Sequence, residues 1–328
     1  MMILKRLVLI SICVLGTPLW ALEPPTQTLL EVSGPAGPLK GTLLNPKPKT
    51  GVAVLMIPGS GPIDRDGNSP SGLKASTYRL LAEGLAARGW ATLRFDKRGM
   101  YASAGAVPDA NAVTIGDYVE DVRSWVTALR KETGARCVWM MGHSEGGLVA
   151  LAAASDQMEI CGLILVATAG RPMGEVLREQ IKANPANAPL LSDAMSAIDT
   201  LERGQRVVTS GMHPGLQGLF NPAVQGFLIS AFSYDPRRLI SGISKPVLVL
   251  QGARDIQIGE VDARLLHQAN SGSKLIFLPD VNHVLKSVTS DSRRANLATY
   301  AESGQPLAPG VVEAIADFMT DNTGEVRR

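Results

Sequence analysis

Residues 142–146 read Gly-His-Ser-Glu-Gly, a G-x-S-x-G pattern that can set a serine hydroxyl on a sharp turn. An apolar run at 138–141 precedes the pattern, and small and apolar residues at 146–154 follow it. A strand that turns directly into a helix would project the Ser144 hydroxyl above a sheet and direct the helix N-terminus at a reacting oxygen. The alternative is a glycine-rich turn whose serine only caps the helix.

A serine hydroxyl needs a base to act as a nucleophile at neutral pH, so the histidines are the next residues to consider. His283 follows an apolar run at 274–278 and should lie at the carboxyl end of a strand, where ligands bind in parallel sheets. We therefore predict that His283 is the base for Ser144. The other histidines adjoin the serine, lie in an irregular segment or lie within a predicted helix: His143, His213 and His267.

An imidazole that acts as a base needs a carboxylate to fix its tautomer and to stabilise its charged form. Asp255 follows the apolar run 247–251 and is also expected at the carboxyl end of a strand. We predict Asp255 for this role. Asp280 is better suited to shaping a turn, and Asp262 suits the first turn of a helix.

Acyl transfer passes through a tetrahedral intermediate with a negative oxygen, which backbone N–H groups can stabilise. The N–H of Glu145, directly after Ser144, is the first candidate donor. The second should come from the loop 58–62, where two glycines let the backbone approach a substrate closely. We predict the N–H of Ser60, with Gly59 as the alternative donor and an ordinary turn as the alternative structure.

Two charged runs are better explained by ion pairs than by metal binding. The sequences Asp-Arg-Asp at 64–66 and Asp-Lys-Arg at 96–98 are interpreted as ion-paired loop anchors. No His pair, Cys pair or carboxylate cluster has metal-ligand spacing, and no glycine pattern of nucleotide-binding loops follows a strand. The sequence therefore predicts chemistry without a metal or cofactor.

The elements that must position these residues alternate along the chain. The predicted strands are 28–32, 39–44, 52–57, 91–95, 138–141, 163–167, 247–251 and 274–278. The predicted core helices are 78–88, 115–131, 146–154, 262–268 and 311–319. This alternation predicts an α/β fold with a mostly parallel sheet and helices on both faces. Residues 169–242 interrupt it, and we expect a helical cap there, inserted in a core made of 22–168 and 243–328.

The first residues of the 328-residue chain are typical of a secretory signal peptide. Lys5 and Arg6 precede an apolar run at 7–15 that is too short to span a bilayer, and Ala21 offers a small residue for cleavage. We expect residues 1–21 to be removed and the protein to be periplasmic or secreted; an uncleaved anchor is the alternative. The net charge of +2 gives no basic surplus for nucleic-acid binding.

Beyond this segment, Cys137 and Cys161 each stand at the start of an apolar run. If these runs are neighbouring parallel strands, the sulfur atoms could lie side by side and form a disulfide in an oxidising compartment. Two buried free thiols are the interpretation that we favour.

Five stretches of the sequence together resemble the bacterial α/β-hydrolase family of serine esterases and lysophospholipase-like hydrolases. They are residues 58–66, 93–99, 142–147, 250–255 and 282–283. The resemblance implies an eight-stranded sheet with a helical cap, and Ser144, Asp255 and His283 as a catalytic triad.

The chain departs from this family at two places near the expected pocket. Many relatives begin the oxyanion loop with His-Gly, where this chain has Pro58-Gly59, and many continue Arg-Gly with another glycine, where this chain has Met100 and Tyr101. Both departures concern the shape of the pocket.

Taken together, the residues predict an exported serine hydrolase that cleaves small-molecule carboxylic esters through an acyl-serine intermediate. A thioesterase or a small-peptide hydrolase is an alternative, because the same triad serves any acyl transfer. A non-catalytic binding protein of the same fold is a further alternative. Apolar residues between positions 219 and 232 could line an acyl pocket or pack the cap on the core, and both readings stay open.

Overall fold

The computed structural model describes residues 24–154 and 159–326, and its central feature is one eight-stranded sheet. The strands are β1 (Thr26–Ser33), β2 (Pro38–Asn45), β3 (Ala53–Ile57), β4 (Ala91–Phe95), β5 (Val138–His143), β6 (Ile160–Val166), β7 (Val247–Gly252) and β8 (Lys274–Leu278). Each strand that the sequence predicts is present. The predicted signal peptide, residues 1–21, lies outside the described residues.

The sheet is mostly parallel, in the order β1-β2-β4-β3-β5-β6-β7-β8. Only β1 with β2 and β2 with β4 pair antiparallel; the other neighbours are parallel. The inner parallel strands β3, β5, β6 and β7 are buried along their whole length, which explains their continuous apolar runs. The prediction of an α/β fold with a mostly parallel sheet is confirmed.

Helices cover both faces of the sheet. They are α1 (Thr77–Ala87), α2 (Ile115–Thr133), α3 (Glu145–Ala154), α4 (Met173–Lys182), α5 (Leu191–Glu202), α6 (Pro214–Gln217), α7 (Gln225–Phe232), α8 (Pro236–Ser241), α9 (Glu260–Ala269), α10 (Arg293–Ala301) and α11 (Val311–Val326). Alternate strand residues face opposite sides. Leu55 belongs to the apolar cluster of α2, α3 and α9, whereas Met56 belongs to the cluster of α1 and α11.

Between β6 and β7, the helices α4 to α8 form most of the segment that the sequence sets apart as a cap. This segment has an apolar cluster of its own, centred on Ile198, Phe220 and Phe232. Its helix α7 packs on α2, where the rings of Phe227 and Tyr118 are 6.1 Å apart. Residues of this segment also line a cavity together with Ser144, which follows the end of β5.

Cys137 and Cys161 are joined by a disulfide with a Cα–Cα distance of 5.2 Å. Our favoured interpretation of two free thiols is therefore wrong. The physical reason is the register of β5 and β6, in which Val138 pairs with Ile160 and brings the two strand entrances together.

The charged loop residues are ion-paired, as the sequence predicts. Arg65 contacts Asp96 at 2.6 Å, and Arg98 contacts Asp121 at 2.7 Å. In the ranges 24–154 and 159–326, no helix is long and apolar enough to cross a membrane. In the same ranges, no group of three or more His, Cys, Asp and Glu side chains could hold a metal ion.

Candidate active site

Ser144 stands between β5 and α3 with a φ of 55°, in the left-handed region that favours glycine. Its N–H donates to the carbonyl oxygen of Val166 in the neighbouring strand at 2.9 Å, and its own carbonyl accepts from the N–H of Gly147 at 2.9 Å. These two bonds close a tight strand-to-helix turn. The turn lifts the Ser144 side chain above the carboxyl edge of the sheet.

Close packing around this turn explains its glycines. A Cβ at Gly142 would lie 2.2 Å from the carbonyl oxygen of Gly146, and a Cβ at Gly146 would lie 2.2 Å from that of Ile57. Backbone atoms cannot yield as side chains can, so neither position accepts a larger residue. The turn is thus pressed against β3, whose end leads into the loop 58–62.

The structure brings His283 and Asp255 together, although 28 residues separate them. Nδ1 of His283 donates to Oδ2 of Asp255 at 2.7 Å, and the two side chains are 7% and 1% exposed. Since a carboxylate only accepts, Nδ1 carries the proton and Nε2 is left with a free lone pair. The pair therefore has the tautomer that a general base requires.

His283, and then two backbone donors, hold the Asp255 carboxylate in its charged form. Burial favours the neutral form, but His283 and the N–H groups of Ile258 and Gln257 outweigh it, and the pKa of Asp255 is lowered. These N–H groups donate to Oδ1 at 3.0 and 2.8 Å. Asp280 is exposed and lies 4.0 Å from Arg254, while Asp262 binds Arg171, so neither competes for the histidine.

Ser144 and His283 line the same space, a cavity of about 110 Å³ that we call the histidine cavity. Gln257 and Tyr300 also line it. Within the described part of the chain, the Ser144 hydroxyl has no hydrogen bond to a protein group. The structure thus brings the serine and the histidine together as walls of one small cavity.

Two backbone N–H groups next to Ser144 have no acceptor among the described residues, those of Ser60 and Glu145. Glu145 begins α3, so its N–H is one of the donors that a helix leaves unpaired. The N–H of Gly59, our alternative donor, is already bound to the hydroxyl oxygen of Tyr78 at 2.9 Å. The geometry therefore favours Ser60 over Gly59.

A buried lysine holds the peptide that carries the Ser60 N–H. Nζ of Lys97 donates to the carbonyl oxygen of Gly59 at 2.7 Å and lies 3.5 Å from Oε1 of Glu145. The side chains of Lys97 and Glu145 are 4% and 3% exposed. Because the peptide is trans, the Ser60 N–H points away from the carbonyl that Lys97 holds.

His143 links the loop of Ser60 to the loop of His283. Its Nε2 faces the carbonyl oxygen of His283 at 2.8 Å and must donate, so its Nδ1 accepts from the hydroxyl of Tyr78 at 3.0 Å. Burial, and then the charge of the nearby His283, lower the pKa of His143 to about 3. A neutral His143 and Tyr78 thus form one buried chain of hydrogen bonds between the two loops.

The sequence did not reveal three of these supporting residues. Tyr78 reads as a helix residue, His143 as a side chain pointing away from Ser144, and Lys97 only as an ion-pair partner. One signal was present for Lys97: it lies two residues after the end of β4, so its side chain starts near the same sheet edge as Ser144.

The cap forms a second cavity at Ser144, of about 330 Å³, which we call the serine cavity. Leu219, Phe227 and Leu228 line it, whereas Phe220 and Phe232 are buried in the cap's own cluster. Residues of the apolar stretch 219–232 thus divide between a cavity wall and the segment's own cluster.

We predict that His143 makes the protein lose stability in mild acid. The unfolded chain binds a proton at His143 near pH 6.5 and the folded chain only near pH 3, so stability falls as the pH decreases between these values. The slope of the free energy of unfolding against pH should reach about 1.4 kcal/mol per pH unit. Urea unfolding between about pH 6 and 4.5, above most carboxyl titrations, measures it.

His143→Gln keeps a donor for His283 and an acceptor for Tyr78, and it should flatten this slope. His213→Gln, at an exposed site in the cap, is the control and should keep it. Equal slopes in wild type and His143→Gln would contradict the assignment of this pH dependence to His143.

Comparison with known proteins shows which proteins this chain resembles. A family model described as serine aminopeptidase, S33, matches residues 72–210. Esterase EstD of Thermotoga maritima is 25% identical over 272 residues, which cover 81% of this chain and 61% of that protein. The chain thus spans about three fifths of the length of this relative.

Solved structures share the fold over most of their length. The esterase Est1E of Butyrivibrio proteoclasticus, bound to ferulic acid, has a TM-score of 0.57 and 18% identity and covers 90% of this chain and 99% of its own. The Pyrococcus furiosus esterase Pf2001 has a TM-score of 0.59 and 17% identity, with coverages of 90% and 91%. By its sheet topology and these structural matches, the chain has the α/β-hydrolase fold.

Proposed function

We propose that this protein is a serine hydrolase that cleaves carboxylic esters of small molecules through an acyl-serine intermediate. The observation that carries the proposal is that Ser144 lines one small cavity with His283, whose Nδ1 is bonded to the buried Asp255 at 2.7 Å. The esterases among its relatives support the same chemistry.

The proposed reaction begins with proton transfer from Ser144 to Nε2 of His283 as the serine oxygen bonds to the ester carbonyl carbon. Asp255 stabilises the imidazolium that forms. When the tetrahedral intermediate collapses, the C–O bond to the alcohol breaks and His283 returns the proton to the alcohol oxygen. Water then repeats these steps on the acyl-serine and releases the acid.

The negative oxygen of the intermediate is proposed to bind the N–H groups of Ser60 and Glu145. Both donors are fixed before the substrate arrives, so little reorganisation is needed in the transition state. The Lys97 ammonium holds the Gly59 carbonyl, and it thereby orients the Ser60 N–H and polarises the peptide toward stronger donation. Lys97 is therefore a positioning residue in this mechanism.

The positions of Ser144 and His283 also suggest where the two halves of the ester bind. The alcohol must lie near His283 to receive its proton, which fits the histidine cavity. The acyl group then occupies the serine cavity, which Ser144 lines and His283 does not. Apolar cap residues, among them Leu219 and Leu228, suit a hydrocarbon acyl chain.

The charges near Ser144 favour an esterase over the aminopeptidase that the family model names. An aminopeptidase needs a carboxylate for the substrate's α-ammonium. Among the residues that line the serine and histidine cavities, Glu145 is the acidic one, and it is buried against Lys97. A thioesterase remains the second candidate, because a thioester has the same apolar acyl group and no ammonium.

We also propose that the protein is exported. Its first residues have the basic start, short apolar run and small residue of a signal peptide. The disulfide between Cys137 and Cys161 gives independent support, because such bonds persist mainly in oxidising compartments.

Export predicts a defined processing and redox state. Expressed with its full sequence in a bacterium, the protein recovered from the periplasm should begin near Leu22 and should take up iodoacetamide at Cys137 and Cys161 only after reduction. Intact-mass spectrometry measures both. A chain that starts at Met1, or thiols that react without reduction, would contradict the proposal.

Ester hydrolysis should depend on Ser144 and on acyl length. Each methylene buried in the serine cavity contributes about 0.8 kcal/mol, so kcat/KM for para-nitrophenyl esters should rise by up to about fourfold per methylene from acetate until the cavity is filled. Thioesters of the same acids and aminoacyl amides, run beside them, separate the alternatives. Amide cleavage equal to ester cleavage would refute our choice.

The matched variants are Ser144→Ala and Ser303→Ala. The first should lower kcat by about 10⁴-fold or more and abolish labelling by a fluorophosphonate probe, since no other group replaces the nucleophile. The second changes an exposed serine and should be labelled like the wild type. A probe that labels Ser144→Ala as well as wild type would favour a non-catalytic role for the site.

Lys97→Met should lower kcat much more than it changes KM. Losing one oxyanion donor lowers the rate about 10²- to 10³-fold. A misoriented Ser60 N–H should account for part of this loss, a decrease in kcat of about tenfold or more. Lys131→Met, the same change at an exposed position of α2, is the control. Equal kcat per folded molecule in wild type and Lys97→Met, with folded protein counted by urea unfolding, would remove Lys97 from the mechanism.

A further inference from the structure

A third cavity, of about 500 Å³, lies beside the serine cavity. We call it the tyrosine cavity, after Tyr118 in its wall. Its apolar lining includes residues of two regions, the turn after β4 and the cap helix α7 with the residue before it: Met100, Tyr101, Val224 and Phe227. Met100 and Tyr101 occupy the place where the sequence departs from the family that it resembles. This part of the cavity wall should therefore differ from that of the relatives.

Tyr118 gives this space a buried polar group, beside the paired Lys97 and Glu145 and the exposed Asn111. Its side chain is nearly buried, with the residue 5% exposed, and its ring stacks edge-on against Phe227. Its hydroxyl has no hydrogen-bond partner among the residues that the structure describes. This oxygen is not among the fully buried side-chain atoms that lack a partner, so part of it is accessible. The hydroxyl therefore opens onto the cavity that Tyr118 lines.

The cavity is suited to an uncharged group. Nζ of Lys97 lies 5.3 Å from the centre of the Tyr118 ring, but its charge is matched by Glu145 and it already donates to Gly59. Burial, and then the charge of Glu145, raise the pKa of Tyr118, so its hydroxyl stays protonated and can donate or accept. These groups therefore offer no unpaired charge that could bind a carboxylate or an ammonium group of a ligand.

The tyrosine cavity adjoins the acyl side of the site. It shares Gly61, Glu145 and Phe227 with the serine cavity. It shares none of the residues that line the histidine cavity, where the alcohol is proposed to bind. Phe227 stands in the walls of both acyl-side cavities and separates them.

We infer that the tyrosine cavity is a second acyl subsite, which takes a bulky apolar group bearing one uncharged oxygen, and that Tyr118 hydrogen-bonds this oxygen. The inference rests on the proposed ester hydrolysis and adds a substrate class to it. An aryl-substituted acyl chain with a hydroxyl on the ring is a simple member of this class.

The test compares two esters with the same leaving group, para-nitrophenyl phenylpropanoate and its para-hydroxyphenyl counterpart. Wild type should prefer the hydroxylated ester. Tyr118→Phe keeps the ring and removes the hydroxyl, and it should reduce this preference about 2- to 12-fold in kcat/KM, the range for one neutral hydrogen bond. Tyr234→Phe removes a phenol hydroxyl outside the three cavities and should keep the preference.

A second variant tests the space itself. Met100→Trp should fill the tyrosine cavity and lower kcat/KM for both arylpropanoates relative to the acetate ester by about fivefold or more, because overpacking is costly. An unchanged preference in Tyr118→Phe, or an unchanged ratio to acetate in Met100→Trp, would overturn the subsite.

Binding without turnover separates this inference from the proposed function. Calorimetry should show that para-propylphenol binds more tightly than propylbenzene, and that Tyr118→Phe removes the difference. If this holds while no ester is cleaved, the subsite stands and the proposed chemistry fails. If acetate esters are cleaved through Ser144 while the two ligands bind equally, the subsite fails and the chemistry stands.

Discussion

The geometry of the candidate site depends on one backbone constraint, the left-handed conformation of Ser144 at the end of β5. A non-glycine residue with a φ of 55° is costly and persists only where its surroundings hold it. Here a strand on one side, a helix on the other and a packed wall of backbone around Gly142 and Gly146 supply that restraint. The fold thus maintains a strained turn that lifts the serine side chain away from the sheet and into the cavities.

A second constraint is the fixed position of the loop that faces this serine. Gly59 is held on both sides, by Tyr78 at its N–H and by Lys97 at its carbonyl. Tyr78 also binds His143, which donates to the backbone of His283. The donor loop and the base loop are therefore parts of one buried network, and a displacement of one loop would be felt by the other.

The fold could be predicted from sequence because its signals are local. Continuous apolar runs mark the buried parallel strands, and the G-x-S-x-G pattern falls at the end of one of them. The supporting contacts are different, since Tyr78 lies 65 residues before His143 and Lys97 lies 48 residues before Glu145. No local period or spacing reports such contacts. The preference for free thiols over the disulfide failed for the same reason, because disulfide formation depends on the register between two strands.

The central claim is that Ser144, His283 and two backbone donors act on one reacting centre. A crystal structure of the protein after reaction with a fluorophosphonate tests it most directly. The account predicts phosphorus bonded to the Ser144 oxygen, with one phosphoryl oxygen about 2.7–3.1 Å from the N–H groups of both Ser60 and Glu145. It also predicts that Nε2 of His283 faces the Ser144 oxygen. An adduct on another residue, or a phosphoryl oxygen directed away from both donors, would contradict it.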